Sequence, residues 1–197
     1  MSHIDLHRDR RSSPLIDVER RSVLIGAALF AVAADFVCAN EAATWRSLSD
    51  VDATLARLAS YPPSVNSDRS NSGWSHRWGA MLVHLAQSIE YSMHGFPESK
   101  SALFQKTVGA IAFAFFNARG RMSHDLNAPI PGAPDIDPTT PAEVAITRLR
   151  TAMASFQSWS APLQPHFAYG TLSKEEYERA HVMHIAEHFQ ALGIGGF

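Results

Sequence analysis

Apolar residues recur at helical spacing along most of the chain after residue 44. Leu48, Val51, Leu55 and Leu58 lie three or four positions apart behind Ser47, and Tyr61-Pro62-Pro63 stops the run. Ser64 to Gly73 is polar, has no period and reads as a loop. From about Ser75 to Met93, Trp78, Leu82, Leu85 and Ile89 share one face of a second helix, closed by Gly95 and Pro97. Ser101 to Phe116 carries Leu103, Phe104, Val108, Ile111, Phe113, Phe115 and Phe116, and predicts a third, buried helix or a helix with a short extended piece. Asn117 to Arg121 breaks that pattern. Asn127 to Thr140, with Pro129, Pro131, Pro134 and Pro138, is a structured loop. Pro141 opens a further helix through Val144, Ile146, Leu149, Met153 and Phe156 to about Trp159. The last helix starts at Ser173-Lys174-Glu175-Glu176, a capping box, and ends at Gly193. No hairpin or strand alternation interrupts this order. The pattern predicts an all-α fold, an up-and-down four-helix bundle with long loops, over residues 44–197.

Polar residues interrupt two of these apolar helices in a regular way. His84, Gln87, Ser88 and Tyr91 form a lane down the second helix. Tyr177, His181, His184 and His188 form a narrow stripe on the last, with Glu187 beside His184. A buried polar lane is costly unless it lines a cavity or finds partners; for Gln87 and Ser88, a solvent-facing lane is the alternative. His184 and His188 are four residues apart, so both imidazoles can reach one ion. His84 on a facing helix can complete a three-nitrogen face with positions left for water and substrate. The competing reading is a set of core histidines, each bonded to its own neighbour, in a chain that holds ten.

Composition narrows the function classes. The chain has 197 residues, 46 % hydrophobic and 18 % charged, enough for one domain with a real core. The net charge is −2 and no basic run follows residue 21, so nucleic acid is not an expected partner. Cys38 is the only cysteine, which excludes an intramolecular disulfide and a thiolate-rich metal site.

Residues 1–40 read as a segment apart. A charged leader ends in Glu19-Arg20-Arg21, and Ser22 to Ala34 is uncharged and apolar but short for a bilayer span. Arg20-Arg21 followed by Ser22-Val23-Leu24 resembles a twin-arginine export signal. The expectation is a periplasmic or secreted protein cut between Ala34 and Asn40, with no membrane anchor after processing. A first helix of a cytoplasmic protein is the alternative.

Several segments occur together in the order of a known family. His84-Leu85-Ala86-Gln87-Ser88-Ile89-Glu90-Tyr91-Ser92 preceded by Gly73-Trp74-Ser75, then Pro129-Ile130-Pro131-Gly132-Ala133-Pro134, then His166-Phe167-Ala168-Tyr169-Gly170 with Leu172-Ser173, and last His184-x-x-x-His188, resemble the DinB/YfiT-like proteins, in a branch without an assigned function. The resemblance covers residues 44–197. It implies a four-helix bundle of DinB/YfiT-like type with a divalent metal on three histidines, here His84, His184 and His188. Some members use such a site for thiol chemistry, as thiol S-transferases or a thiol-dependent isomerase. Relatives in this branch often carry His-His at the end of the last motif and Arg-Gln-Phe-Gly after it. Here Glu187-His188 and Gln190-Ala191-Leu192-Gly193 stand instead, which bears on the substrate side more than on the metal.

The chemical expectation is a metal-dependent transferase or hydrolase, using a thiol or water as nucleophile on a small molecule, with zinc or nickel as the ion. Glu187 is the candidate catalytic carboxylate, as a general base or as a partner for a ligand histidine. Gln87, Tyr91, His166 and Tyr169 are candidate substrate-binding residues; His166 and Tyr169 fit packing as well. Arg119 and Arg121 can bind an anion or simply face water. A homodimer is compatible with this reading. The alternative class is a non-catalytic bundle with a binding or stress-related role, its metal structural or absent.

Overall fold

The hydrophobic spacing is realised as five helices in a computed structural model that describes residues 45–60 and 78–193. Residues 1–40, where an export signal is expected, the loop Ser64–Gly73 and the Gly73-Trp74-Ser75 motif lie outside these residues. The helices are α1 Leu48–Ser60, α2 Trp78–His94, α3 (Ala102–Phe104, a π-helical turn Gln105–Gly109, then Ala110–Arg119), α4 Ala142–Ser158 and α5 Lys174–Ala191. Among the described residues there is no strand; a single bridge pairs His166 with Gly170. Residues 43–197 form one compact unit. No helix of the described residues is long and apolar enough to cross a membrane.

α2 lies against α4 and α5, and α1 lies against the same two helices. Their shared core holds Leu48, Leu55, Met81, Leu82, Leu85, Ile89, Leu149, Met153, Phe156 and Ile185. α2 is buried on every side from Trp78 to Ile89, so most of its polar lane is inside: His84, Gln87 and Ser88 are buried, while Tyr91 at its far end is half-buried. Local chemistry fixes the helix ends. Ser173 Oγ accepts the Glu176 N–H at 3.2 Å and Glu176 accepts the Ser173 N–H at 2.8 Å, the predicted capping box. Glu178 on α5 accepts the Leu48 N–H at the start of α1, at 3.2 Å. Two bidentate ion pairs tie helices from outside, Arg148 with Glu90 and Arg150 with Asp52.

α3 departs from expectation. Its apolar content predicted burial, yet Leu103, Val108, Ile111 and Phe115 are exposed, Leu103 by 75 % and Ile111 by 72 %. Only Gly109 and Phe113 are buried. The reason is that α3 touches the described unit along one narrow edge. There the π turn brings Gly109 against the Ala168 carbonyl, where a Cβ would collide with backbone. Gln105 donates from Nε2 to the His166 and Phe167 carbonyls at 3.3 and 3.2 Å, and Phe113 packs on Tyr169. α3 therefore clamps the loop His166–Gly170, which turns tightly through Gly170 at φ +78°.

Candidate metal centre

His84 on α2 and His184 and His188 on α5 point at one another. The Nε2 atoms of His84 and His184 are 3.2 Å apart, and so are those of His184 and His188. The ring centroids are 5.1, 5.1 and 4.9 Å apart. His184 and His188 meet because four residues make roughly one turn. α2 supplies His84 because it lies against α5.

The structure adds a fourth imidazole that the sequence reading did not select. His124, in the loop after α3, stands with its ring 5.0 Å from that of His184 and 5.3 Å from that of His188. One ligand atom from each of the four histidines lies within 4.8 Å of all the others. Glu187 fixes this loop residue. One carboxylate oxygen accepts the His124 N–H at 3.0 Å, and the other pairs with Nδ1 at 2.7 Å. With Nδ1–H donated to the carboxylate, the lone pair is on Nε2, the form that binds a metal. Loop residues carry no period, so spacing held no signal for His124.

The donor set fits a divalent ion. Tetrahedral Zn–N bonds of roughly 2.0–2.1 Å place ligand nitrogens about 3.3 Å apart, close to the observed separations. His184 Nε2 has only one in-plane position for a hydrogen or a lone pair. It cannot satisfy both neighbours by hydrogen bonds, whereas one cation answers all three nitrogens. Burial keeps the three helix-borne imidazoles neutral. Desolvation lowers His84 to about 3 and His188 to about 2, and lowers His184 well below its usual value, with neighbouring histidines adding to each shift.

A cavity of about 290 Å³ opens on this cluster. His84, His124 and His184 form one wall, and Met122, Ile130 and Phe167 give it apolar surface. Its size is near the low end for small-molecule sites, roughly 300–1,000 Å³. His166 and Tyr169 line it, stacked with centroids 4.3 Å apart. Burial lowers His166 to about 3 and raises Tyr169 to about 12. Gln87 and Tyr91 do not line the cavity, which corrects their expected place beside it. Three residues beyond His84, Gln87 is turned about 60° off its direction, while Ser88, four beyond, remains on the cavity side. Tyr91 lies two turns, about 10 Å, further along the axis, with its ring on Phe96. Glu187 acts on the cavity through His124 and is not part of its wall. Arg119 lies over the Phe115 ring, outside the cavity wall.

Residues 44–193 match the model of a family described as "Protein of unknown function (DUF1569)". The chain belongs to this family. No curated protein and no solved structure matches it. All four clustered histidines, Glu187 and the cavity fall within the family segment.

Glu187→Gln keeps the shape of the His124 clamp but removes its charge. The expected result is zinc affinity weaker by about 10–100-fold with helix content unchanged. Competition with a chromogenic chelator and far-ultraviolet circular dichroism measure the two quantities.

Proposed function

We propose that the protein is a divalent-metal-dependent enzyme acting on a small molecule, as a hydrolase or a thiol-using transferase. The ion would be zinc or nickel, held by His84, His184 and His188, with His124 as the fourth, exchangeable nitrogen. We further propose that α1, α2, α4 and α5 form an up-and-down four-helix bundle of DinB/YfiT type. The packing of α1 and of α2 on both α4 and α5, and ligands drawn from α2 and α5, support a bundle of these four helices.

The observation that carries the functional reading is the convergence of three Nε2 atoms beside a cavity. A bound ion would supply Lewis acidity to a nucleophile or a carbonyl in that cavity. The chain's own groups do the rest. Glu187 orients His124, Met122, Ile130 and Phe167 reduce water access, and Ser88 and His166 offer polar contacts to a substrate. Four permanent imidazoles would close a tetrahedral shell and make the ion structural. Two facts argue for an exchangeable His124. It sits in a loop while its partners sit on helices, and its side chain is 32 % exposed.

The decisive assay is a screen of ester and amide hydrolysis and of thiol transfer, on protein loaded with zinc or with nickel and on His184→Ala treated alike. Metal-dependent turnover by the native chain alone supports the enzyme reading. Tight metal binding without turnover, strongly weakened in His124→Ala, supports a structural ion held by four permanent imidazoles.

A further inference from the structure

The cavity that opens on the metal cluster is lined by two more histidines, His166 and His181, and their neighbours fix the proton on each. His166 Nδ1 accepts two backbone N–H groups, from Ala168 at 3.1 Å and Tyr169 at 3.2 Å. Its proton is therefore on Nε2. Burial keeps the ring neutral, so one N–H and no positive charge remains for the cavity it lines. His181 is fixed the opposite way. Ser92 donates its hydroxyl hydrogen to the Ile89 carbonyl at 2.6 Å. The contact between Ser92 Oγ and His181 Nε2, at 3.3 Å, then has His181 as the donor. His181 Nδ1 is left as a bare acceptor on a ring that also lines the cavity. Neither of these two nitrogens is sealed from the cavity without a partner.

Tyr177 links the two rings. Tyr177 stacks on His181 with centroids 5.5 Å apart and approaches His166 at 6.1 Å. Its own hydroxyl is spent on the Gln164 carbonyl at 2.6 Å. Phe156 meets His181 edge-on at 5.2 Å. The cavity lining thus presents one fixed donor, His166 Nε2–H, and one fixed acceptor, His181 Nδ1, with the Tyr177 ring against both histidines.

We propose that this pair is a recognition subsite for an amide edge, a C=O beside an N–H, on the substrate of the metal centre. The carbonyl accepts from His166 and the N–H donates to His181. A carboxylate fits poorly, because one oxygen would face the His181 lone pair. A ketone fits poorly, because it leaves that acceptor buried and unmatched. The proposal rests on the metal-enzyme reading for its catalytic meaning, but its recognition can be tested apart from it. None of the residues involved belongs to the metal cluster.

Benzamide, benzoate and acetophenone are isosteric probes small enough for the cavity. Each is titrated into the full chain loaded with zinc, with the histidine ring nitrogens followed by 15N NMR. The expected result has His166 protonated on Nε2 and His181 bare on Nδ1. Benzamide should perturb both rings and bind at least about tenfold tighter than either analogue. His166→Phe and His181→Phe should each remove that preference while zinc still binds one-to-one. The opposite tautomer on either ring overturns the proposal, as does equal binding of the three probes or an undiminished preference in both variants. Failure of the metal reading shows separately, as absence of one-to-one zinc binding in the native chain.

Discussion

Replacing His184 with alanine is expected to abolish tight one-to-one binding of zinc or nickel. The loss should be at least about a hundredfold in affinity, the upper end for removing even a supporting group. His184 is the hub, since its Nε2 is 3.2 Å from the Nε2 of both His84 and His188. Its removal leaves those two nitrogens without the ligand between them. His84→Ala and His188→Ala should follow closely, because each removes one vertex of the triangle. His124→Ala should cost least, since its side chain is loop-borne and 32 % exposed. The order His184 first and His124 last distinguishes one shared ion from four unrelated core histidines. Isothermal titration of tag-free variants gives the affinities, and far-ultraviolet circular dichroism should show helix content retained throughout. Equal affinities across the series would contradict the shared site.

The second large effect is acid instability of the metal-free protein. His84, His166 and His181 are lowered to about 3 and His188 to about 2, in each case first by burial. In the unfolded chain a histidine titrates near 6.5. Between those values the unfolded state binds protons that the folded state refuses. Stability contributed by the neutral rings is therefore complete above about pH 6.5 and drains away as pH falls toward 3. Each such group costs about 1 kcal/mol per pH unit inside that window, against a total stability of roughly 5–15 kcal/mol. The metal-free chain should thus unfold cooperatively between pH 6 and 4, roughly. Saturating zinc should move the midpoint to lower pH, because the ion competes with protons for the same nitrogens. Circular dichroism against pH, with and without zinc, reads both. A metal-free midpoint below pH 3 would show that these rings are not held neutral by burial.

The elements that the sequence made legible are those with a period or a local cap. Leu48, Val51 and Leu55 announced α1, and the Ser173–Glu176 box set the start of α5 within a residue. The four-residue step from His184 to His188 carried two of the clustered nitrogens, and His84 the third. What escaped has no periodic signature. His124 reaches the cluster through a loop and a long-range bond to Glu187, and nothing in Met122-Ser123-His124 marks it. The exposed face of α3 shows the converse. Leu103 and Ile111 report that a residue is apolar, not that a partner covers it. Gln87 and Tyr91 were placed by their lane on α2, but a cavity has a definite length and direction, and theirs passes them by. The tautomers of His166 and His181 depend on Ala168, Tyr169 and Ser92 as bonded neighbours, which a residue pattern cannot express.

One divalent ion is expected among the imidazoles of His84, His124, His184 and His188. X-ray absorption spectroscopy on tag-free protein loaded with one equivalent of zinc addresses it most directly. The expected result is a four- or five-coordinate ion with three or four imidazoles, at Zn–N distances of roughly 2.0–2.1 Å. A six-coordinate shell of oxygen with no imidazole scattering, or zinc that washes out on desalting, would contradict it.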